Sequence, residues 1–183
     1  MTDLLSLHKS FILAHLKEGD VCADFTMGNG HDTLFLSKTV GKDGRVYAFD
    51  IQEGALKNTK ALLQSNGCDN CTLILDSHHN AKNYIKEKIK AGMFNLGYLP
   101  GSNNKSLTTK RETTLPAVKD ALQMLDSDGI LLIAVYPGHE EGNLEGIMLE
   151  EYFETIDRRE MSISKFKIVN SPTSPFFFIA EKK

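Results

Sequence analysis

The segment Val21 to Thr33, reading VCADFTMGNGHDT, constrains the fold more than any other stretch of the chain. An apolar β-forming run, Val21 to Phe25, meets a turn at Gly28-Asn29-Gly30, and an amphipathic run begins directly after it. The pattern requires a strand to feed a helix through a loop with almost no side chain. Glycine lets such a loop take conformations closed to other residues and lets a ligand approach bare backbone at the start of the helix. Asp24 stands inside the strand, where an acid is costly unless something uses it. A second acid, Asp50, closes the next apolar run, Val46 to Asp50. Acids at the carboxyl ends of two successive strands beside a glycine loop point to a ligand containing a nucleoside.

The rest of the chain repeats this alternation. Strands are expected at 21–26, 45–50, 72–76, 94–99, 129–136, 163–169 and 176–181, and helices at 3–17, 31–40, 53–66, 80–90, 112–126 and 143–157. The first of these helices shows as Leu4, Leu5, His8, Phe11, Ile12, His15 and Leu16 at helical spacing, halted by Gly19. Alternation of this kind implies right-handed βαβ units and a parallel sheet covered on both faces. The ending departs from it, because Asn170 to Pro175 is too short to carry a crossover helix. The last two strands are therefore expected to pair as an antiparallel hairpin. The expectation is one α/β domain over residues 1–183, Rossmann-like, with a seven-stranded, mostly parallel sheet and its N-terminal helix packed on it.

Composition enters as a constraint on partners. The chain is 41% hydrophobic and 25% charged, which is ordinary for a globular protein, and its formal charge is −3. Contact with nucleic acid must then rest on a local patch rather than on a basic excess. The first twenty residues hold no long uncharged apolar run, so neither a signal peptide nor a membrane span is expected there. Three cysteines fit a reducing compartment, and a cytoplasmic location is expected.

Further candidate residues lie at the ends of the expected strands. Asp50, helped by Gln52, is placed to accept hydrogen bonds from a ribose diol, though an acid there could equally cap the next helix. Asp76, Ser77 and His78 follow the third apolar run and would wall the same pocket. Cys68, Cys71, His78 and His79 match no familiar zinc spacing, and no metal is expected. The fourth run, Phe94-Asn-Leu-Gly-Tyr-Leu-Pro-Gly101, places Asn95, Gly97 and Pro100 where an ordinary buried strand would reject them. Such local conflict marks a working site or, more plainly, a glycine bulge. Asn95-x-x-Tyr98 is similar to the Asn/Asp-Pro-Pro-Tyr element of amino-methylating enzymes, with Leu96-Gly97 in place of the prolines. There an amide oxygen accepts a hydrogen bond from the target nitrogen and the aromatic ring stacks on the base. Lys105, Lys110 and Arg111 in the following polar loop are candidates for phosphate contact. Tyr136 and His139 end the fifth run; His139 would move a proton near neutral pH or cap a helix. Ser174 and Pro175 would overhang the same edge.

These blocks taken together resemble a known group. Asp24-Phe-Thr-Met-Gly-Asn-Gly-His-Asp32, Asn95-Leu-Gly-Tyr-Leu-Pro-Gly101, Tyr136-Pro-Gly-His-Glu-Glu-Gly142 and the Ser174-Pro175-aromatic ending resemble, in the same order, the bacterial "putative rRNA methylase" family of class I S-adenosylmethionine (SAM) methyltransferases. The resemblance covers essentially the whole chain. It implies SAM as methyl donor, S-adenosylhomocysteine (SAH) as product and no metal. It implies a donor site drawn from Asp24, Thr26, Gly28, Asn29, Gly30, Asp32, Thr33, Asp50, Gln52, Asp76, Ser77, His78 and Asn95. It implies catalysis by Asn95, Tyr98 and His139, with Tyr98, Pro100, Lys105, Lys110, Arg111, Tyr136, His139, Ser174 and Pro175 facing the acceptor. By the same resemblance the acceptor is the 5-aminomethyl group of 2-thiouridine at the tRNA wobble position, reached through the anticodon arm. Alternatives from the residues alone are methylation of rRNA or a small amine, a non-catalytic RNA-binding module, and an NAD dehydrogenase. The last is disfavoured by the missing third glycine and the terminal hairpin. The N-terminal helix and the hairpin offer surfaces for a homodimer.

Overall fold

The structure is a computed structural model that describes residues 4–97, 109–138 and 140–183. Seven strands form one sheet in the order β3-β2-β1-β4-β5-β7-β6. They are β1 (Val21–Asp24), β2 (Arg45–Asp50), β3 (Cys71–Leu75), β4 (Ile89–Leu96), β5 (Leu125–Val135), β6 (Met161–Phe166) and β7 (Phe176–Lys182). Only β7 runs against its neighbours, pairing antiparallel with both β5 and β6, as the short 170–175 connection requires. The central run Ile130 to Val135 is buried on both faces of the sheet, which explains its unbroken apolar sequence.

The helices are α1 (Leu4–His15), α2 (His31–Val40), α3 (Glu53–Ser65), α4 (Ala81–Tyr84), α5 (Arg111–Met124) and α6 (Glu140–Glu154). Alternation along the strands divides the core in two. On one face, Ile12, Leu16, Leu36 and Val40 from α1, its exit and α2 pack on Cys22, Val46, Met93, Leu132 and Phe177. On the other, Ala117, Val118, Ala121, Leu149 and Phe153 from α5 and α6 pack on Phe25, Phe94, Leu96, Leu131 and Phe178. Between β1 and β4 the strand order reverses direction, and this crevice is where open α/β sheets place their ligands.

Several expected boundaries are corrected. The helix expected over 80–90 is one 3₁₀ turn, His78–Asn80, followed by the single α-turn of α4, and β4 already begins at Ile89. Lysine-rich sequence there reads as helix, but tertiary contact prevails. Ile89, Ala91, Met93 and Phe94 are fully buried, and the ammonium groups of Lys88 and Lys90 reach past the strand to the carbonyls of Gln123 and Ser127, each at 2.9 Å. Gly92 belongs to a strand because a Cβ there would lie 2.6 Å from Leu131 Cδ1 and 2.9 Å from Phe25 Cε2. β5 starts at Leu125 rather than 129, through a register irregularity opposite Ile89 and Ala91. β1 stops at Asp24 rather than 26, β4 at Leu96 rather than 99, and β6 spans Met161–Phe166 rather than 163–169.

Candidate functional site

The carboxyl end of β1 turns within its own side-chain hydrogen bonds. Asp24 is fully buried; its Oδ1 accepts from the Thr26 amide at 3.1 Å and its Oδ2 from the Thr33 hydroxyl at 2.7 Å. Thr33 sits in the first turn of α2, so the bond ties strand end to helix start. Burial, and then the neighbouring Asp32 carboxylate, raise the Asp24 pKa to about 7 in spite of these two donors. Gly28 and Gly30 have φ of 52° and 83°, the left-handed region that favours glycine. At Gly30 a Cβ would also lie 2.9 Å from the Thr59 Cα, so α3 closes on the loop from outside. Thr59 Oγ1 donates to the Gly28 carbonyl at 3.1 Å and Asn58 Nδ2 to Asn29 Oδ1 at 3.1 Å.

Asp50, at the end of β2, joins the two loops. Its Oδ2 accepts from the Gly28 amide at 3.0 Å and its Oδ1 from the Gln52 amide at 2.9 Å, while burial pushes its carboxyl above the usual range. The amides of Gly28 and Gly30 therefore serve the protein itself, Gly30 donating to the Met27 carbonyl at 2.8 Å. The sequence suggested amides facing a ligand; those two face inward, and each Asp50 oxygen keeps a lone pair for an external donor.

Asp76 is held by its own turn. Its Oδ1 accepts from the Ser77 amide and from Asn80 Nδ2, and its Oδ2 accepts from the Tyr84 hydroxyl, which together lower its pKa. Ser77 Oγ caps the 3₁₀ turn by accepting from the His79 amide. His78 packs edge-on against Phe94 and presents Nδ1 to the Phe25 carbonyl at 3.2 Å. A carbonyl only accepts, so Nδ1 carries the proton; burial lowers the imidazole pKa to about 4 and keeps it neutral. Nε2 is then a bare acceptor, buried without a partner among the described residues.

Across the crevice, the Asn95 amide N–H donates to Thr26 Oγ1 at 2.7 Å, extending the β1–β4 contact beyond the strand. Its side chain leans to the α1–α2 face, where Nδ2 donates to Asp32 Oδ2 at 2.7 Å. Asp32 Oδ1 is in turn 2.9 Å from Lys9 Nζ of α1. Thus Asp24, Thr26, Gly28, Gly30, Asp32, Thr33, Asp50 and Asn95, singled out from sequence, meet around one crevice. Lys9 and Thr59 were missed, since nothing in a local pattern says that two helices reach it.

The acceptor-side candidates divide. Gly97 faces the Tyr136 ring, a Cβ there lying 3.7 Å from its Cδ2, so the ends of β4 and β5 are neighbours. Ser174 closes a turn on Ser171, with hydroxyls 2.7 Å apart, and Gly138 abuts the Thr173 carbonyl, so the 171–175 turn flanks the same edge. Chain leaving at Gly97 returns at Thr109, whose amide donates to the Gly97 carbonyl at 3.1 Å. A buried acid missed from sequence holds that return: Glu145 of α6 accepts from the hydroxyls of Thr109 at 2.9 Å and Thr114 at 2.6 Å. Arg111 is bound to Glu141 through its backbone amide and its Nε, whereas Lys110 is exposed. Tyr98, Pro100, Lys105 and His139 lie outside the described residues. Among the described residues no group of three or more His, Cys, Asp and Glu could hold a metal ion, and no helix is long and apolar enough to cross a membrane.

Comparison with known proteins adds the following. A family model described as "Putative rRNA methylase" matches residues 46–182. A curated protein from Arabidopsis thaliana, "tRNA (mnm(5)s(2)U34)-methyltransferase, chloroplastic", is 35% identical over 179 residues, covering 92% of this chain. The chain spans 65% of that relative's length. A solved "putative rRNA-methylase" from Clostridium thermocellum is 36% identical with a TM-score of 0.96, covering 100% of this chain and 99% of that one. A putative methyltransferase from Streptococcus mutans, solved in complex with SAH, is 34% identical with a TM-score of 0.90, again over 100% and 99%.

Proposed function

The chain, a member of the "Putative rRNA methylase" family, is a SAM-dependent methyltransferase, and we propose that it methylates the 5-aminomethyl group of 2-thiouridine at the tRNA wobble position. The observation that carries this reading is the Asn95 amide. Asp32 accepts from its Nδ2, so Oδ1 is turned away from the carboxylate and has no partner among the described residues. An open amide oxygen at the end of β4 suits a nitrogen that must be oriented, and the reaction named for the Arabidopsis relative supplies such a nitrogen.

The donor crevice suits SAM by its chemistry. Asp24, Asp32 and Asp50 converge there, with Lys9 paired to Asp32, and His78 Nε2 is a buried acceptor without a partner among the described residues. A ligand with an ammonium, a sulfonium and an adenosine answers those groups. Asp50 would take the ribose hydroxyls, and Asp24 and Asp32 would supply the negative field toward the methionine end. When bound, SAM supplies a methyl group already bonded to positively charged sulfur.

The acceptor must arrive as the free amine, because an ammonium has no lone pair. Asn95 Oδ1 accepts one of its N–H groups and leaves the lone pair to be aimed at the methyl carbon. A new C–N bond forms, the C–S bond breaks with its electron pair going to sulfur, and the resulting ammonium later yields a proton to water. No strong base is needed, and most of the acceleration comes from alignment. The decisive experiment profiles tRNA nucleosides from a deletion strain and then treats that tRNA with pure protein and SAM. Accumulated 5-aminomethyl-2-thiouridine, converted to the methylated nucleoside on treatment, is expected. Unchanged tRNA with undermethylated rRNA would overturn the substrate assignment.

A further inference from the structure

The Asn95 side chain has a problem that its backbone does not. The strand register, Asn95 opposite Ala134, and the Thr26 contact fix its Cα, but the terminal amide torsion is soft. Oxygen and nitrogen ends are nearly equal in size, so packing cannot choose between them; only a hydrogen-bond partner can. The partner here is a carboxylate, which accepts and does not donate. Rotating the amide by half a turn would set its oxygen against Asp32 Oδ2. The 2.7 Å contact is therefore an orientation lock as much as a bond.

The carboxylate is itself aimed. Asp32 lies in the first turn of α2, and its two oxygens are divided between two donors from separate elements. Oδ2 takes Asn95, and Oδ1 takes the Lys9 ammonium at 2.9 Å. Asp32 is only 16% exposed and Lys9 34%, so the ion pair is more shielded than a typical surface pair. Lys9 is steadied in turn by the Phe35 ring, 5.1 Å from its ammonium. Both α1 and α2 thus converge on one amide at the end of β4.

We infer that Lys9 and Asp32 are positioning residues, a chain through which the N-terminal helix fixes the Asn95 amide with its oxygen toward the methyl acceptor. The inference rests on the reading of Asn95 as the acceptor-orienting group. It makes α1 part of the acceptor site rather than a packing element alone.

The test uses the full chain with Asp32→Ala, Lys9→Gln and Lys9→Arg, and two readouts. The first is kcat at saturating SAM against SAM affinity by calorimetry. The second, independent of turnover, is the side-chain NH2 resonance pair of Asn95, assigned by its absence from Asn95→Ala. For Asp32→Ala the inference expects kcat at saturating SAM to fall about ten- to a hundred-fold; SAM affinity also falls there, because the variant removes a carboxylate from the donor crevice, and stays within a few-fold in Lys9→Gln. It also expects collapse of the hydrogen-bonded shift and exchange protection of the Asn95 amide proton. Lys9→Gln should show both effects more weakly, and Lys9→Arg should restore them. Unchanged Asn95 resonances in both loss variants, or SAM affinity falling in step with kcat in Lys9→Gln, would overturn it. If Asp32→Ala does not fold, Lys9→Gln carries the test from a partly exposed helix position. A wrong substrate assignment shows instead in the wild type, as failure to methylate wobble uridine, and leaves the resonance readout intact.

Discussion

The two sides of the crevice are built on different principles. At the ends of β1 and β2, acids are satisfied by backbone and hydroxyl groups close in sequence, Asp24 by Thr26 and Thr33, Asp50 by Gln52, with one bond to Gly28 joining them. At the end of β4, Asn95 is held by Thr26 of the β1 loop and by Asp32 of α2, which Lys9 of α1 pairs in turn, and its side-chain oxygen has no partner among the described residues. On the proposed reading the donor side is a cradle built mainly from short-range bonds and braced by α3 through Asn58 and Thr59. The acceptor side shares Thr26 and Asp32 with that cradle and adds Asn95 and Lys9 from distant segments, which can change with less effect on it. A common donor fold can thus serve many acceptors through substitutions on one side of the crevice.

The largest test of that contrast is Asn95→Ala. If the two sides are separable, kcat should fall by about a hundred- to a thousand-fold, the range for removing one preorganised polar contact, while SAM affinity stays within a few-fold. Single-turnover kinetics and calorimetry read the two quantities apart. A matching loss of SAM affinity would mean that Asn95 belongs to the cradle, and the contrast would fail.

Gly30→Ala should break the other side. Its φ of 83° strains any side chain, and the new Cβ would press on backbone at Thr59, which a rotamer change cannot relieve. Destabilisation of about 1–3 kcal/mol is expected, a melting temperature lower by roughly 3–10 °C in a chain of this size. SAM affinity should fall with it, and kcat at saturating SAM should change least. Normal SAM affinity would show the loop to be a structural turn only.

The same contrast explains what could be read from sequence. Asp24, Gly28, Gly30 and Asp50 announce themselves because a local motif contains both the group and its partner. Asn95 was visible as an anomaly in a strand, but Lys9, Asp32's second partner, could not be tied to it; the link exists only once α1 has folded over β4 and β5. Glu145 was silent for the same reason. It reads as one more acid in an acidic helix, and becomes a buried clasp only when Thr109 and Thr114 meet it. The helix expected over 80–90 failed where side-chain reach, in Lys88 and Lys90, turned polar sequence into a buried central strand. The mostly parallel sheet and the reversed β7 were legible because the lengths of the connections set the relative direction of successive strands.

The Asp24 carboxyl gives a subtler prediction on the donor side. Its pKa is about 7 folded against an ordinary 3.8, so the folded state binds this proton more tightly. That contribution to stability is complete below pH 4 and is lost as pH rises through 7. Without SAM, the melting temperature should therefore fall between pH 5 and 8. Asp24→Asn, which preserves the shape, should reduce the slope and raise the pH 8 melting temperature by several degrees. Asp50 and Glu145 are raised by burial and leave a residual slope of the same sign. Saturating SAM should flatten the wild-type slope, because a cation beside these carboxylates lowers their pKa. A slope unchanged by Asp24→Asn would place the titrating group elsewhere.

The smallest expected effect concerns the two cations at the start of α5, which the sequence ranks alike and the structure separates. Arg111 is paired through Nε with Glu141 at 3.1 Å, so its charge is already answered within the protein. Lys110 is exposed and has no ion pair among the described residues. Only an unanswered cation releases counterions when it meets a phosphate. Lys110→Gln should raise the KM for tRNA a few-fold and make the log–log salt slope shallower by about one. Arg111→Gln should leave that slope nearly unchanged and instead lower stability by less than about 1 kcal/mol, as expected for a partly exposed pair. Filter binding of tRNA between 50 and 200 mM salt, alongside thermal melts, distinguishes them. Equal slopes for the two variants would mean that the Arg111 pair opens on binding, and that the acceptor side is less fixed before tRNA arrives than its hydrogen bonds imply.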